Sequence, residues 1–98
     1  MWIERRINYV KPGQMEEAIA LFKEMRFDIR GWSLRLLRPV EGEQAEQMQI
    51  LEMCFEDPYE FSRAAAWWQA SPEGQAFRDR WAALRLKNGS QELLWVVE

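Results

Sequence analysis

The hydrophobic residues of this chain of 98 residues change their spacing between two and about 3.6 positions several times. Residues 1–10 alternate, which predicts a strand with Ile3 and Ile7 on one face and Trp2 on the other. A Lys-Pro-Gly sequence ends that strand, because proline lacks a donor and glycine permits a sharp turn. An apolar residue then recurs every three or four positions, which predicts a helix that ends near residues 27–30, before Gly31. The apolar stripe of this helix is Met15, Ala18, Ile19, Phe22 and Met25.

Two further strands are predicted in the middle of the chain. Residues 32–38 alternate as a strand, and a polar connection follows at 41–46. Residues 48–55 alternate again, although their Ala, Gln, Glu and Met content, together with that of the preceding segment, also suits a helix. We favour a strand there.

The last third of the chain predicts a broken helix and a terminal strand. Asp57-Pro58 is a helix start, because aspartate is a preferred N-cap and proline fits the first helical position. A Ser-Pro pair at 71–72 repeats the signal, so the helix breaks and restarts there. An Asn-Gly pair at 88–89 indicates a turn. Residues 93–97 are apolar on both parities, which predicts a final strand that is covered on both faces.

The resulting order β-α-β-β-α-β is the ferredoxin-like pattern of an α+β protein, and we expect residues 1–98 to form one such domain. Its sheet carries the helices on one face. We expect Ile3 and Ile7 to pack under the helices, which leaves Trp2, Leu51 and Met53 on the opposite face. An uncovered apolar face of this kind marks association. The pattern therefore predicts a homodimeric α/β barrel in which two sheets pack together.

The composition excludes several kinds of chemistry. The chain has no histidine and one cysteine, so it lacks the commonest metal and haem ligand, the usual general base and any internal disulfide. We therefore expect no metal and no cofactor. A formal net charge of −3 argues against nucleic-acid binding. Early charges and short apolar runs predict neither a signal peptide nor a membrane span, and thus a cytoplasmic location.

Four short motifs carry a resemblance to known families. The opening Met-Trp-Ile-Glu-Arg-Arg and the Lys-Pro-Gly turn at 11–13 resemble the NIPSNAP-like proteins. The segment Phe-Glu-Asp-Pro at 55–58, with Trp-Gln-Ala-Ser-Pro-Glu at 68–73 and Phe77, resembles both that family and the antibiotic biosynthesis monooxygenase domain. The resemblance implies a dimeric α/β barrel.

The resemblance also implies a set of candidate site residues. Glu4 and Arg6 match the first-strand acid and arginine of the NIPSNAP-like proteins. Trp68 matches a helical tryptophan in the cavity of related haem-degrading monooxygenases, and Asn8 lies two residues from the position of their first-strand asparagine. Those enzymes also use a helical histidine, which this chain lacks, so haem ligation of that kind is unsupported.

The spacing of these residues leaves two interpretations open. Glu4 and Arg6 are two apart in a strand, so they point the same way about 6.5 Å apart. In a closed cavity Arg6 could bind the carboxylate or phenolate of an otherwise apolar ligand. The alternative is an ion pair at the dimer interface or the sheet edge. Trp68 likewise continues the apolar stripe of its helix, which favours a core position.

Three functions follow from this interpretation. The first is a small-molecule-binding NIPSNAP-like dimer for an aromatic or apolar ligand, with no established reaction. The second is a cofactor-independent monooxygenase acting on an aromatic or quinol substrate, in which Arg6 stabilises the substrate anion while Asn8 or Trp68 orients it. The third is a structural or regulatory dimer with no ligand. Whether the protein is an enzyme stays open at this point.

Overall fold

The computed structural model describes residues 1–97, which form an antiparallel sheet with three helices on one of its faces. The predicted order of elements is confirmed, with one additional short strand. The elements are β1 (Trp2–Val10), α1 (Met15–Phe22), β2 (Ser33–Leu37), β3 (Met48–Phe55), α2 (Pro58–Ala70), α3 (Pro72–Leu84), β4 (Arg85–Lys87) and β5 (Gln91–Trp95). No helix among residues 1–97 is long and apolar enough to cross a membrane.

The sheet has the ferredoxin-like topology that the sequence predicts. The strand order is β2-β3-β1, and both β4 and β5 pair with the remaining edge of β1. All of these pairs are antiparallel. Because β3 lies between β1 and β2, the unit that contains β1, α1 and β2 is the split βαβ motif.

The fourth position of the sheet is one strand with an irregularity rather than two strands joined by a turn. Between β4 and β5 the Ile7 amide still donates to the Ser90 carbonyl oxygen, at 2.9 Å. A Cβ at Gly89 would overlap the Ile7 carbonyl oxygen, so this close approach requires glycine. The Asn-Gly pair therefore marks a bulge where a turn was predicted. The final strand lies two residues earlier than predicted, and Leu93 and Trp95 are more than half exposed, so the expectation of cover on both faces was wrong.

Helix α1 is shorter than its apolar stripe predicts. The amides of Glu24 and Met25 donate to carbonyls three residues back, at 3.0 and 3.2 Å, which tightens the chain and ends the helix. The Arg26 guanidinium donates to the Lys23 carbonyl at 2.8 Å and occupies the exposed end. Met25 is nevertheless buried, so the stripe predicted burial correctly and the helix end wrongly.

The starts of α2 and α3 are capped as the sequence predicts. The Asp57 carboxylate accepts from the Tyr59 amide at 2.9 Å, and proline occupies the first turn. The Ser71 hydroxyl accepts from the Gly74 amide at 3.1 Å and starts α3 immediately after α2 ends. The two helices therefore meet at a sharp corner.

The face of the sheet that the helices cover is the opposite of the one predicted. Cross-strand pairing places Glu4 beside Met53 and Arg6 beside Leu51, and both apolar partners are fully buried under the helices. Ile3 and Ile7 lie on the uncovered face instead. The buried core on the helix side is Phe22, Met25, Phe27, Leu51, Met53, Phe55 and Phe61.

Candidate functional site

A partly enclosed cavity of about 170 Å³ lies between the sheet and the helices, and we call it the inner compartment. Five aromatic rings and two methionines supply most of its wall, and the polar groups are two arginines and one amide. The lining residues are Arg6, Phe22, Met25, Phe27, Met53, Phe61, Ala65, Trp68, Gln69, Phe77 and Arg78. Concave sites of this kind, mostly apolar with a few polar groups, are typical of small-molecule binding.

A second cavity of about 290 Å³, the outer compartment, adjoins the first at the edge of the sheet. The two compartments share four lining residues. The shared residues are Arg6, Phe61, Ala65 and Gln69. The outer compartment adds polar groups on Glu4, Ser62 and Gln91, together with apolar groups on Phe55 and Leu93. The outer compartment is thus the more polar of the two, and Arg6 borders both.

Arg6 is held at the boundary by a partial ion pair. Its Nη2 atom donates to both carboxylate oxygens of Glu4 at 3.3 Å, which is long for a charge-assisted bond. The Nε atom is shielded from solvent and has no hydrogen-bond partner among residues 1–97. Glu4 in turn accepts from Gln91 Nε2 at 2.5 Å, so β5 holds the carboxylate toward the outer compartment.

Trp68 forms part of the inner wall near the end of α2. Its ring lies edge-on to Phe27 and Phe77, with centroids 5.6 and 5.1 Å away. The corner between α2 and α3 fixes its backbone, because a Cβ at Gly74 would overlap the Trp68 carbonyl oxygen. Trp68 is thus both a core residue and a cavity residue, which the sequence left as alternatives.

Asn8 lies apart from the other three candidates. Its side-chain amide donates to Gln49 Oε1 at 3.2 Å, and it lines neither compartment. The structure thus brings Glu4, Arg6 and Trp68 to two adjoining compartments that share Arg6 and leaves Asn8 on the same face of the sheet, further along β1.

Solved structures with this fold include members of two named groups. A NIPSNAP domain protein from Burkholderia xenovorans superposes with a TM-score of 0.77 at 17% identity, over 99% of this chain and 95% of its own. A candidate antibiotic biosynthesis monooxygenase from Bordetella bronchiseptica superposes with a TM-score of 0.75 at 19% identity, over 99% of this chain and 97% of its own. A NIPSNAP family protein from Agrobacterium tumefaciens superposes with a TM-score of 0.73 at 17% identity, over 99% of this chain and 93% of its own.

This chain has the NIPSNAP and antibiotic biosynthesis monooxygenase fold. The suspected resemblance is confirmed at that level, and the near-complete coverage in both directions shows that the fold accounts for the whole described chain. No protein-family model and no curated protein sequence matches the chain. Within this fold the roles of individual side chains are therefore argued from their geometry.

The inner compartment can bind and desolvate an anion more readily than it can move a proton. Its polar groups are the guanidinium groups of Arg6 and Arg78 and the amide of Gln69, none of which exchanges a proton readily at neutral pH. Trp68 contributes a ring with a donor only. The arrangement is therefore suited to positioning and electrostatic stabilisation.

Sequence reasoning missed Arg78 and Gln69 as site residues. Both lie next to an inward-facing aromatic residue, Phe77 or Trp68, and so at the margin of the apolar stripe of their helix. Such marginal positions read as solvent-facing in a helical pattern. The sequence signal was a long polar side chain directly after a half-buried ring, which is common on surface helices.

A larger groove of about 580 Å³ lies outside α2, between Asp28 and the exposed rings of Tyr59 and Trp67. Both rings are 72% exposed, and acidic side chains line much of the groove. Because this groove is shallow and open to solvent, its volume does not translate into burial of a ligand. The smaller inner compartment is more enclosed and is therefore the better candidate site.

The uncovered face of the sheet has charges at its centre. Cross-strand pairing aligns Arg35, Glu52, Arg5 and Glu92 in one row across β2, β3, β1 and β5. Glu52 is only 4% exposed and accepts from both guanidinium groups, from Arg5 Nη2 at 2.7 Å. The hydrogen bonds from Arg35 and Arg5 lower the pKa of the Glu52 carboxyl. Half-buried apolar side chains surround the row, namely Ile3, Ile7, Tyr9, Leu37, Met48, Ile50 and Leu94.

Proposed function

We propose that this protein is a homodimer that binds a small aromatic molecule between the sheet and the helices of each protomer. The observation that carries the proposal is the inner compartment, a partly enclosed space walled by five rings with Arg6 at its boundary. A purely structural dimer would gain packing energy by filling this space with side chains. A retained cavity with a cation at its entrance favours a ligand.

Native mass spectrometry of the protein as purified tests the binding proposal. The expected result is a dimer that carries a retained small molecule, which is released on denaturation. Arg6→Leu should lose this molecule and remain a dimer, because Arg6 lies on the helix side of the sheet. Arg80→Leu removes the same charge from the exposed surface of α3 and is the matched control. A bare dimer that also fails to bind any of a panel of small aromatic acids, phenols and quinols would contradict the proposal.

The dimer is supported by the apolar character of the uncovered sheet face. A sheet face with half-buried isoleucines and leucines is costly to leave in water, and a second copy of the chain is the occupant it fits. We expect this face to bury more than about 2,000 Å² in total, as stable homodimers do. The single cysteine, Cys54, also lies on this face. Its thiol is free, which fits a reducing compartment such as the cytoplasm.

The charged row supports a second copy in particular. Read across the sheet, its signs alternate as plus, minus, plus, minus. A two-fold axis parallel to the strands reverses the row, so that Arg5 would face the partner's Glu52 and Arg35 would face the partner's Glu92. Every opposed pair is then attractive. An isologous interface requires this kind of self-complementarity.

Sedimentation velocity at micromolar concentration tests the dimer. The wild-type chain should sediment as a dimer, and Ile50→Glu should dissociate it, because the substitution buries a carboxylate at the centre of the interface. Tyr59→Glu changes the exposed surface of α2 and is the control that stays dimeric. A wild-type monomer would remove the interface and the barrel with it.

A second function, cofactor-independent oxygenation of an aromatic or quinol substrate, is favoured by one further observation. The Arg6 Nε donor is shielded from water beside the aromatic wall. A guanidinium in such a position stabilises a phenolate, the electron-rich form that reacts with oxygen. Oxygen uptake with a panel of hydroquinones separates the two functions. Turnover that Arg6→Leu abolishes would support the oxygenase, and binding without oxygen uptake would support the binding protein.

A further inference from the structure

The inner compartment has an unbalanced positive charge. Arg6 and Arg78 both line it, and no carboxylate does among residues 1–97. Glu4 neutralises part of the Arg6 charge, but it lies in the outer compartment and reaches only Nη2. Arg78 is exposed and the Arg6 side chain is 36% exposed, so solvent screens part of both charges, and the shielded Nε edge of Arg6 attracts an entering anion most strongly.

Arg6 also keeps a donor that the folded chain does not use. Its Nε–H is shielded from solvent without a partner, and an unsatisfied buried donor costs free energy. Nε and Nη2 lie on one edge of the guanidinium, and such an edge fits the two oxygens of a carboxylate. The single oxygen of a phenolate would satisfy only one of these donors well.

The remaining wall selects for a ring. Phe27, Phe61 and Phe77 are each arranged edge-on to at least one neighbouring ring, so a planar guest could continue the same packing. A volume of about 170 Å³ is close to the roughly 150 Å³ of an engineered cavity that binds benzene. The inner compartment therefore holds one six-membered ring with a short substituent.

We propose that the ligand of this cavity is a compact aromatic carboxylate. Its single ring occupies the inner compartment, and its carboxylate accepts from Arg6 Nε and Nη2, with Arg78 as a second cation nearby. This inference rests on the proposed binding function and narrows it from aromatic molecules in general to aryl acids. Gln69 lines both compartments and can donate its amide to the same carboxylate.

Calorimetric titration with three probes tests the inference. Phenylacetate has the ring and the charge, phenylacetamide is its neutral isostere, and acetate has the charge without the ring. Phenylacetate should bind at least about tenfold more tightly than phenylacetamide, and acetate should give no measurable heat. Arg6→Gln should weaken phenylacetate binding about tenfold and leave phenylacetamide unchanged. Arg78→Gln should weaken phenylacetate by a smaller factor, and Arg80→Gln, on the same helix, should have no effect.

The outcomes separate this inference from the function on which it rests. Equal affinity for phenylacetate and phenylacetamide would overturn the carboxylate and leave aromatic binding intact. Failure of both to bind, together with an empty cavity by mass spectrometry, would overturn both proposals. Arg6→Lys keeps the charge but lacks the paired Nε and Nη2 donors of the guanidinium. Its expected affinity for phenylacetate lies between those of the wild type and Arg6→Gln. If Arg6→Gln does not fold, the comparison of probes on the wild-type protein still decides.

Discussion

Replacement of Glu52 by glutamine tests whether the charged row stabilises the fold. The guanidinium groups of Arg5 and Arg35 both donate to this carboxylate. The Glu52 side chain is 4% exposed, whereas those of Arg5 and Arg35 are 42% and 70% exposed. The acceptor is thus buried within one protomer alone, and the arginines become covered only where the proposed dimer forms. A hydrogen bond to a charged group contributes about 1.5–3 kcal/mol, and glutamine keeps one acceptor oxygen but turns its amide toward the other arginine. We expect a loss of about 2 kcal/mol, because glutamine keeps a hydrogen bond to one arginine and loses the charge-assisted hydrogen bonds to the other.

Thermal unfolding at fixed protein concentration measures this loss. For a chain of this length about 2 kcal/mol lowers Tm by roughly 10 °C. Glu24→Gln breaks the ion pair with Arg80, in which both partners are more than half exposed, and should change Tm little. If Glu52→Gln melts as the wild type does at neutral pH, the hydrogen bonds from Arg5 and Arg35 to Glu52 contribute nothing to stability and the reasoning is wrong.

The same variant has a defined pH dependence. Because the pKa of Glu52 is lowered by folding, its stabilisation is complete above the ordinary pKa of glutamate and is lost as the pH falls through the lowered value. The difference in Tm between wild type and Glu52→Gln should therefore be full at about pH 7 and shrink toward about pH 3. A difference that grows on acidification would have the wrong sign.

Three further substitutions test local parts of the structure. Asp57→Ala should destabilise by about 1 kcal/mol through loss of the cap on α2, measured by urea unfolding, without any change in ligand affinity. Gly74→Ala should cost about 1–3 kcal/mol and also weaken ligand binding, because the new Cβ displaces the Trp68 backbone. Gly89→Ala should destabilise similarly, since its Cβ meets the Ile7 carbonyl, and hydrogen exchange should show the loosened pairing of β1 with β5.

Local signals in the sequence predicted most elements of the fold. The caps at Asp57 and Ser71 and the strand at Met48–Phe55 were confirmed because each depends on neighbouring residues alone. The end of α1 was wrong because its apolar stripe continues into a non-helical segment that is also buried. Periodicity reports burial, and only the backbone hydrogen bonds decide where a helix ends.

The orientation of the sheet could not be predicted from β1 alone. The odd-numbered and the even-numbered residues of that strand both include apolar and charged side chains, so the pattern does not show which set faces the core. The stronger contrast lies in β3, where Leu51 and Met53 are fully buried while Ile50 is only half buried. Because paired residues share a face, β3 fixes the side on which Arg6 lies. Glu4 and Arg6 thus face the cavity because of the pairing register between β1 and β3, which cannot be seen in the sequence of β1.

Methyl NMR of the five methionines tests most directly whether an aromatic ligand enters the inner compartment. Met25 and Met53 line that space, whereas Met48 lies on the opposite face of the sheet and Met15 packs in a separate cluster. Titration with phenylacetate should shift the Met25 and Met53 methyl signals strongly, through the ring current of the bound probe, and leave those of Met15 and Met48 in place. Strong shifts confined to Met48, or none at saturating probe, would contradict the account.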